Sequence, residues 1–406
     1  MPPLKIAVVV GQFPTISETF IVNQIRFLKS QGHQVHIYCF KKIKIGIHPS
    51  DDIHFKDVKL LEWQHFMPKN KLKRFFKIFS ILIKSINFSI RLDLIKRFNL
   101  FKYKKDAFNG YVFFRRYFEL YFEINNYDVV HVHFANHAVR LLRQLEIFQK
   151  RIIVSFHGFD AHNYDHQFYN GLLKLKTICY TTNTAYTKDK IIDLGFPDHL
   201  ITILPVGLDT NFFKPTQNLK KSERFNILFV GRLVVLKSPL LAIKIIEQLV
   251  NQNITNLLLT IVGDGEEFQR CEDYIVSHEL EPYITLKGSQ NQLEIVELMN
   301  SSDMFLLPGI KDDNNKAEAQ GLVIQEAQAM QLPVIISDVG GMKDGVLDGK
   351  TGFVLKAHDI DAFVKCILYL IEHPKERIAM GSAGRKFAVK NYDISVLGQQ
   401  LLDLYR

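Results

Sequence analysis

Phe305-Leu306-Leu307-Pro308, then Glu318-Ala319-Gln320-Gly321-Leu322-Val323-Ile324-Gln325-Glu326, then Gln331-Leu332-Pro333-Val334-Ile335-Ile336 and Gly340-Gly341 carry the architecture of this chain. Phe305–Pro308 is a short apolar run stopped by Pro. Val323 to Met330 is helical in composition, and Val334-Ile335-Ile336 is a second buried strand before a glycine turn. Strand, loop, helix and strand make one unit of a parallel sheet, whose loop and helix N-terminus lie at the carboxyl edge where ligands bind. The N–H groups and dipole of a helix start favour an anion such as phosphate. Glu318 stands in the loop and Glu326 inside the helix, with seven residues between them. Two carboxylates beside a phosphate cradle point to hydrogen bonding with the many hydroxyls of a sugar nucleotide; two solvated glutamates are the plain alternative.

The same alternation extends outward. Lys5–Val10, Val35–Phe40, Val129–His133, Ile152–Phe156, Ile201–Leu204, Ile227–Val230, Leu257–Val262 and Met304–Leu307 are strand candidates separated by longer helix-like stretches. That is the pattern of α/β architecture. A length of 406 residues suits two or three domains, and 47% hydrophobic content suffices for two cores. Each half opens with a strand and a Gly-containing turn, Val8-Val9-Val10-Gly11 and Leu228-Phe229-Val230-Gly231-Arg232. The expectation is two similar lobes, 1–208 and 209–387. The boundary falls near Pro205-Val206-Gly207-Leu208-Asp209, and Phe212 to Glu223 forms the link, because Pro, Gly, Asn and Lys cluster there. Leu397, Leu401 and Leu404 recur at helical spacing in the last segment, 388–406.

Other strand ends carry chemistry-bearing residues. Gly231-Arg232-Leu233 follows a strand, and Lys237 comes five residues after Arg232. Two such cations can clamp a diphosphate, Arg through its planar fork and Lys as a point charge; a surface ion pair is the alternative. In Phe156-His157-Gly158-Phe159-Asp160, Gly158 permits close backbone approach. His157 is a site candidate or a satisfied structural histidine, and Asp160 either joins the site or caps the next segment. Gly11-Gln12-Phe13-Pro14 follows the first strand, with Ser17 as N-cap and Glu18 and Thr19 in a first helical turn. Val262-Gly263-Asp264-Gly265 is a common turn signal with a weak case for ligand contact.

His131 and His133 alternate on a strand and share one face, with His137 close in sequence. No neighbouring Cys or carboxylate set completes a metal site, so no metal is expected, and the histidines pack near the strand end. Cys39, Cys179, Cys271 and Cys366 lack metal-ligand spacing and read as buried free thiols in a reducing compartment. No secretory signal precedes the first strand, and no apolar run reaches membrane-spanning length. The expected location is cytoplasmic.

The chain carries 51 Lys plus Arg against 42 Asp plus Glu. Much of the positive charge lies between Lys69 and Lys105, opposed there by Asp93 alone and interleaved with Phe75, Phe76, Phe79, Ile81, Phe98 and Phe101. This suits a helix lying on an anionic membrane surface. A basic helix with a buried apolar face and a nucleic-acid patch are the alternatives, and no nucleic-acid module motif supports the last.

The Glu318–Glu326 stretch, with Leu332-Pro333-Val334 and Gly340-Gly341 behind it, resembles the donor site of retaining glycosyltransferases of family 4. Ala319 and Gln320 intervene before Gly321, where many members have Gly directly after the first Glu, so this loop approaches the donor differently. The run Phe13-Pro14 to Ser17-Glu18-Thr19-Phe20 and Asn23-Gln24 looks like the opening of members that build exopolysaccharides, colanic-acid and amylovoran types among them. The resemblance implies the α/β GT-B fold, two Rossmann-like lobes with parallel sheets facing a deep cleft, and a final helix in 388–406 crossing back onto the first lobe. It implies retaining, metal-independent transfer of a sugar, without a cofactor. The sugar passes from a nucleoside-diphosphate sugar to a glycan or lipid-linked acceptor in surface polysaccharide biosynthesis.

By the same resemblance, Arg232 and Lys237 neutralise the leaving diphosphate, helped by amides near Gly321 and Leu322. Glu318 binds the donor sugar and Glu326 the ribose, both ionised with no need of a raised pKa. Gly231 and Gly288 line the donor, with Leu286-Lys287-Gly288 meeting the nucleobase through backbone. His157 lies at the transferred sugar, and the loop at Gly11 faces the acceptor and the donor phosphate. With 69–105 on an anionic membrane, the protein is expected at the inner face of the plasma membrane, with no nucleic-acid partner. A sugar-nucleotide epimerase, which needs no acceptor, and a non-catalytic membrane-associated assembly protein are the other readings. A phosphorylase would need a pyridoxal-lysine element that is not found.

Overall fold

The computed structural model describes residues 2–13, 18–42, 59–62, 67–84, 88–124, 126–175, 178–216 and 223–406. The first sheet contains β1 (Lys5–Phe13), β2 (Gln34–Lys42), β3 (Lys59–Glu62), β4 (Val129–His133), β5 (Arg151–Phe156), β6 (Ile178–Thr182) and β7 (Ile201–Ile203), in the order β3-β2-β1-β4-β5-β6-β7. The pairs β1–β2, β2–β3, β1–β4 and β4–β5 are parallel. The second sheet contains β8 (Phe225–Val230), β9 (Leu257–Val262), β10 (Ile284–Leu286), β11 (Met304–Leu307), β12 (Val334–Ser337) and β13 (Gly352–Leu355), in the order β10-β9-β8-β11-β12-β13. All five of its pairings are parallel. In each half the order reverses at the opening strand, β1 or β8. Both halves therefore share the doubly wound topology, which binds ligands beyond the carboxyl ends of its strands at that reversal. The expectation of two similar α/β lobes is met.

The strands form because their apolar runs are buried on both faces, as parallel sheets between helices require. Ile227, Phe229, Phe305, Leu306 and Ile335 are fully buried in the second core, each contributing about 1.5–3 kcal/mol relative to exposure. β1 runs on to Phe13, pairing Gln12 with Lys41 and Phe13 with Lys42. Gly11 thus lies inside a strand rather than in the expected turn. A Cβ there would come within 2.4 Å of His137 Nε2, so glycine is needed for close approach of that ring. Ser17, expected as an N-cap, lies outside the described residues; the helix Thr19–Ser30 begins after Glu18, which makes no side-chain cap bond.

The chain forms two compact units: Met1–Thr181 with Leu194–Thr202 and Tyr405–Arg406, and Thr182–Asp193 with Ile203–Leu404. One crossing between the units lies between Thr202 and Ile203, beside the expected 208. Leu208 and Phe213, read as boundary and linker, are buried in the second core, and residues 217–222 of the expected link lie outside the described residues. The helix Ile394–Leu404, expected with the first lobe, groups with the second unit, and only Tyr405–Arg406 group with the first. Asp393 ties this end in: it accepts from the Thr210 hydroxyl, and Leu208 N–H donates to Tyr392 O at 2.9 Å.

Between β3 and β4 the first unit inserts the helices Lys71–Lys84, Phe88–Ile95, Leu100–Phe108 and Tyr111–Ile124. Ile81, Leu94, Phe113 and Phe114 form their small core. Asp93 accepts from Arg97 and Arg116; burial raises its pKa, but these two guanidinium groups outweigh that and hold it below the usual carboxylate range. Leu72, Phe75, Phe76, Phe79 and Ile83, spaced along one face of the first of these helices, remain 61–65% exposed. No helix among the described residues is long and apolar enough to cross a membrane. Of the four cysteines, Cys39 and Cys271 are buried as expected, while Cys179 and Cys366 are partly exposed.

Candidate functional site

In the second unit the site grows from the carboxyl end of β8. Gly231 and Arg232 leave the strand, the 3-10 turn Val235–Lys237 follows, and Ser238 in the left-handed region (φ +50°) starts the helix Pro239–Asn251. The Lys237 stem runs alongside Gly231, 3.6 Å from where a Cβ would stand, and its Nζ donates to Glu318 Oε2 at 2.9 Å. The loop is braced from behind by Val262-Gly263-Asp264-Gly265. Leu233 N–H donates to Asp264 O at 2.9 Å, and a Cβ on Gly263 would lie 1.8 Å from Gly231 O. This turn is a buttress of the cation loop, and Gly263 N–H in turn donates to Gly288 O at 2.9 Å.

Glu318 is placed from β11 and the glycine pair. Gly341 N–H donates to Glu318 O at 2.8 Å, while a Cβ on Gly340 (φ +61°) would stand 2.2 Å from that oxygen. Glycine is therefore required there by both backbone conformation and contact. The departure at Ala319-Gln320 has a structural cause. Gln320 is buried and pairs with the Val206 backbone in both directions, Val206 N–H to Oε1 at 2.8 Å and Nε2 to Val206 O at 3.0 Å. Thr184 Oγ1 holds Ala319 O at 2.8 Å. Gly321, at φ +74°, then starts the helix Leu322–Ala329, one residue earlier than the composition indicated.

The two carboxylates differ. Burial raises the pKa of Glu318, but Lys237, Arg232 and the Gly321 N–H, which donates to Oε1 at 3.2 Å, outweigh it and hold the group below its ordinary value. Burial pushes the Glu326 carboxyl up to about 7, against the charge of Lys237. The expectation that neither carboxylate needs a raised pKa therefore fails for Glu326, whose buried carboxyl feels the charge of Lys237 alone, whereas Glu318 is bonded to Lys237 and also feels the charge of Arg232. The structure thus gathers Gly231, Arg232, Lys237, Glu318, Gly321, Leu322 and Glu326 around one helix start, with Gly288 on the adjoining strand end. Among the described residues no group of three or more His, Cys, Asp or Glu is arranged to hold a metal.

In the first unit, His131, His133 and His157 form a column of stacked rings, with centroids 4.2 and 5.2 Å apart. His133 Nδ1 and His157 Nε2 share a hydrogen bond of 3.0 Å, and His131 is held by Tyr405 Oη at 2.8 Å and Ser155 Oγ at 2.7 Å. Burial holds His157 and His131 at about 3 and His137 at about 4, the last aided by Arg140; these rings are neutral at pH 7. Asp160 settles between its two readings. It is fully buried, accepts His157 N–H at 2.9 Å and Ala135 N–H at 2.7 Å, and so ties the His157 loop to the start of the helix Ala135–Arg140. Sequence reasoning missed Phe134, and it quoted Phe20 only as part of the opening run, with no role of its own. Their rings lie 4.8 and 4.9 Å from His157, and Phe134 has φ +65°, a strained conformation with no local sequence signal.

The chain is similar to known proteins along its length. Residues 17–212 match Glycosyltransferase Family 4, and residues 211–387 match Glycosyl transferases group 1. The amylovoran biosynthesis glycosyltransferase AmsK of Erwinia amylovora is 23% identical, with 99% of each chain covered. The UDP-Gal:alpha-D-GlcNAc-diphosphoundecaprenol alpha-1,3-galactosyltransferase of Escherichia coli is 29% identical over 50% of this chain and 54% of its own length. The structure of HepE from Anabaena in complex with UDP superposes with a TM-score of 0.71 at 15% identity, covering 98% of each chain. With the two family matches running consecutively from 17 to 387 and the doubly wound fold repeated in both halves, the chain belongs to the glycosyltransferases of family 4, its second half being a group 1 glycosyltransferase domain.

Proposed function

We propose that this glycosyltransferase is a retaining, metal-independent enzyme of surface polysaccharide biosynthesis. It moves a sugar from a nucleoside-diphosphate sugar to a glycan or lipid-linked acceptor. The observation that carries the reading is the Lys237–Glu318 pair, 2.9 Å apart, beside Arg232 at the carboxyl end of β8. Two cations and a helix start at a strand-order reversal suit a diphosphate, and fixed cations contribute most where charge grows on a leaving group. The UDP complex of HepE and the amylovoran role of AmsK support the donor class and the pathway class.

In this reading Arg232 and Lys237 stabilise the departing diphosphate, with the Gly321 and Leu322 amides beside them. Glu318 accepts from hydroxyls of the donor sugar, and Glu326 from the ribose. Gly231 and Gly288 let the donor approach backbone. His157, a neutral hydrogen-bonding ring, lies at the transferred sugar, and Gly11 faces the acceptor and the donor phosphate. The acceptor hydroxyl attacks from the side the diphosphate leaves, and that phosphate takes its proton. No cofactor is used. The exposed apolar face of Lys71–Lys84 and its cations dock the first unit on anionic lipid at the inner face of the plasma membrane.

A thermal-shift screen of sugar nucleotides tests the donor class, because a ligand at about 100 times its Kd adds about 2.7 kcal/mol of stability. Stabilisation by none of them contradicts the reading. Product analysis without acceptor separates transfer from epimerisation.

Glu326→Ala is expected to weaken binding of the selected donor by about 1.5–3 kcal/mol, the range for hydrogen bonds to a charged group. The wild-type affinity should also depend on pH. A carboxyl at about 7 must lose its proton to accept from two hydroxyls, so donor affinity falls as pH drops below about 7. Calorimetry from pH 6 to 8 checks this; affinity constant across that range, or unchanged in the variant, removes Glu326 from the ribose.

Turnover is expected to survive chelator, because Arg232 and Lys237 occupy the role a metal would fill. Loss of turnover in chelator, restored by manganese or magnesium, would contradict this.

A further inference from the structure

Glu318 lies in a loop, with no strand or helix of its own to hold it, yet a group that meets sugar hydroxyls has to be placed to within about 0.5 Å. Backbone ties inside the second unit fix that loop. Gly341 N–H holds Glu318 O at 2.8 Å. On the next residue, the Thr184 hydroxyl donates to Ala319 O at 2.8 Å. Thr184 is buried, and its oxygen in turn accepts Thr187 N–H at 3.2 Å. A Cβ on Gly341 would stand 1.9 Å from Ala319 O and 2.6 Å from Thr184 Oγ1, so the glycine turn, the threonine and the loop carbonyl pack into one knot. Asp344, just past that turn, secures the Thr184 end. Its Oδ2 accepts Ala185 N–H at 2.9 Å and Tyr186 N–H at 3.4 Å, at the start of the helix Ala185–Asp193.

Gln320 fixes the loop one residue further on, and its amide is fully committed. Oε1 takes Val206 N–H at 2.8 Å, and Nε2 donates to Val206 O at 3.0 Å and to Gln325 Oε1 at 3.3 Å. Exchanging the amide oxygen and nitrogen would break both bonds to Val206, so the surroundings permit this orientation alone. Gln325 is buried on the helix Leu322–Ala329, the one that carries Glu326. Gly321 follows Gln320 directly, and its N–H donates to Glu318 Oε1 at 3.2 Å. A shift of Ala319 or Gln320 therefore moves the amide that orients the Glu318 carboxylate beside Lys237.

We propose that Thr184 and Gln320 are positioning residues for Glu318. They fix the backbone on its C-terminal side so that its carboxylate faces the hydroxyls of the donor sugar. Both are buried and act through that backbone rather than by touching the donor. This rests on the reading in which Glu318 accepts from donor-sugar hydroxyls. A merely structural tie stabilises the fold whatever is bound. A tie aimed at Glu318 is felt where a sugar is attached to the nucleotide and not where it is absent.

Calorimetric titration of the full chain tests the assignment with two probes. One is the sugar nucleotide that raises the melting temperature most in a screen of UDP-, GDP-, dTDP- and ADP-sugars; the other is its bare nucleoside diphosphate. The quantity compared is the ratio of their affinities, because loss of Glu318 also frees Lys237 for the diphosphate of both. E318A, the reference, is expected to lower the ratio about 10- to 100-fold, the range for hydrogen bonds to a charged group. T184V, which keeps the shape of the side chain and removes the hydroxyl, is expected to lower it about tenfold. T184S restores the hydroxyl and is expected to stay within about twofold of the wild type. Q320M is expected to follow T184V; it leaves two buried backbone groups unpaired, and if it does not fold, the valine and serine variants carry the test. A wild-type ratio in E318A overturns the reading of Glu318 and this proposal with it. A ratio lowered in E318A but unchanged in T184V and Q320M, even if both melt earlier, overturns the positioning role and leaves that reading standing. A ratio as low in T184S as in T184V overturns the role of the hydroxyl.

Discussion

Lys237→Ala is expected to lower turnover at saturating donor by about 100- to 1,000-fold, the range for removing one preorganised donor from a developing anion. In the free protein Lys237 is occupied by Glu318 at 2.9 Å, so the ammonium is already positioned, desolvated and oriented. A donor diphosphate draws on it most in the transition state, so the loss belongs in kcat more than in KM. Arg232→Ala should follow the same pattern, its guanidinium being the second cation that acts on Glu318. Stability changes less. The pair is mostly but not fully buried, with side chains 12% and 22% exposed, so its loss costs about 1–3 kcal/mol, between exposed and buried pairs. The sign with pH is fixed. The folded pKa of Glu318 lies below its unfolded value, so the pair stabilises above the ordinary carboxylate pKa and the contribution fades as pH falls through the folded one. The difference in melting between wild type and variant should therefore be larger at pH 7 than at pH 4. Wild-type turnover in Lys237→Ala would remove the diphosphate role.

Vesicle binding is expected to fall on the order of 1,000-fold when Lys71, Lys73, Lys84 and Lys105 become Gln, because each cation near an anionic surface contributes roughly 1 kcal/mol. These four are exposed. Arg74 is not suitable for this test, although it lies in the same basic run. Its guanidinium donates to the carbonyls of Pro68, Lys69 and Asn109, so replacing it disturbs the helix packing itself. Binding of the wild type should weaken with salt, since screening shortens the reach of the charges. Phe75→Ser with Phe79→Ser should weaken binding to anionic and neutral vesicles alike, as both rings lie on the exposed face. Sedimentation with anionic and neutral vesicles separates the two terms. Equal binding of wild type and the four-Gln variant to both vesicle types would leave the insertion an ordinary basic helix group and make a soluble acceptor the better reading.

Several site features were legible because their signals are local. The Pro after Leu307, the strand Val334–Ile336 and the pair Gly340-Gly341 bound a βα unit within about thirty residues, and the structure forms it there. Lys237 followed from its short distance to a strand end. Other features had no local signal. Asp160 reads equally as cap or ligand until Ala135, 25 residues away in sequence, is seen to donate to it. Gln320 looked like a departure from a pattern until Val206 was seen to pair with it across 114 residues. Gly11 resembles a turn glycine until His137 arrives against it. The segment around 205–215 reads as a boundary because Pro and Gly mark a break in periodicity, while burial of Leu208 and Phe213 decides which core holds it.

By itself the sequence determined the two α/β halves, the strand ends that bear cations and carboxylates, and the basic aromatic insertion, since each depends on residues within one or two turns or strands. Only the tertiary structure decided that Lys237 pairs with Glu318 while Glu326 is left with a carboxyl raised to about 7. It alone decided that three histidines stack, and that only part of the insertion's apolar side chains is buried. Charge state and exposure depend on desolvation and on partners brought together by folding, and no window of sequence contains those partners.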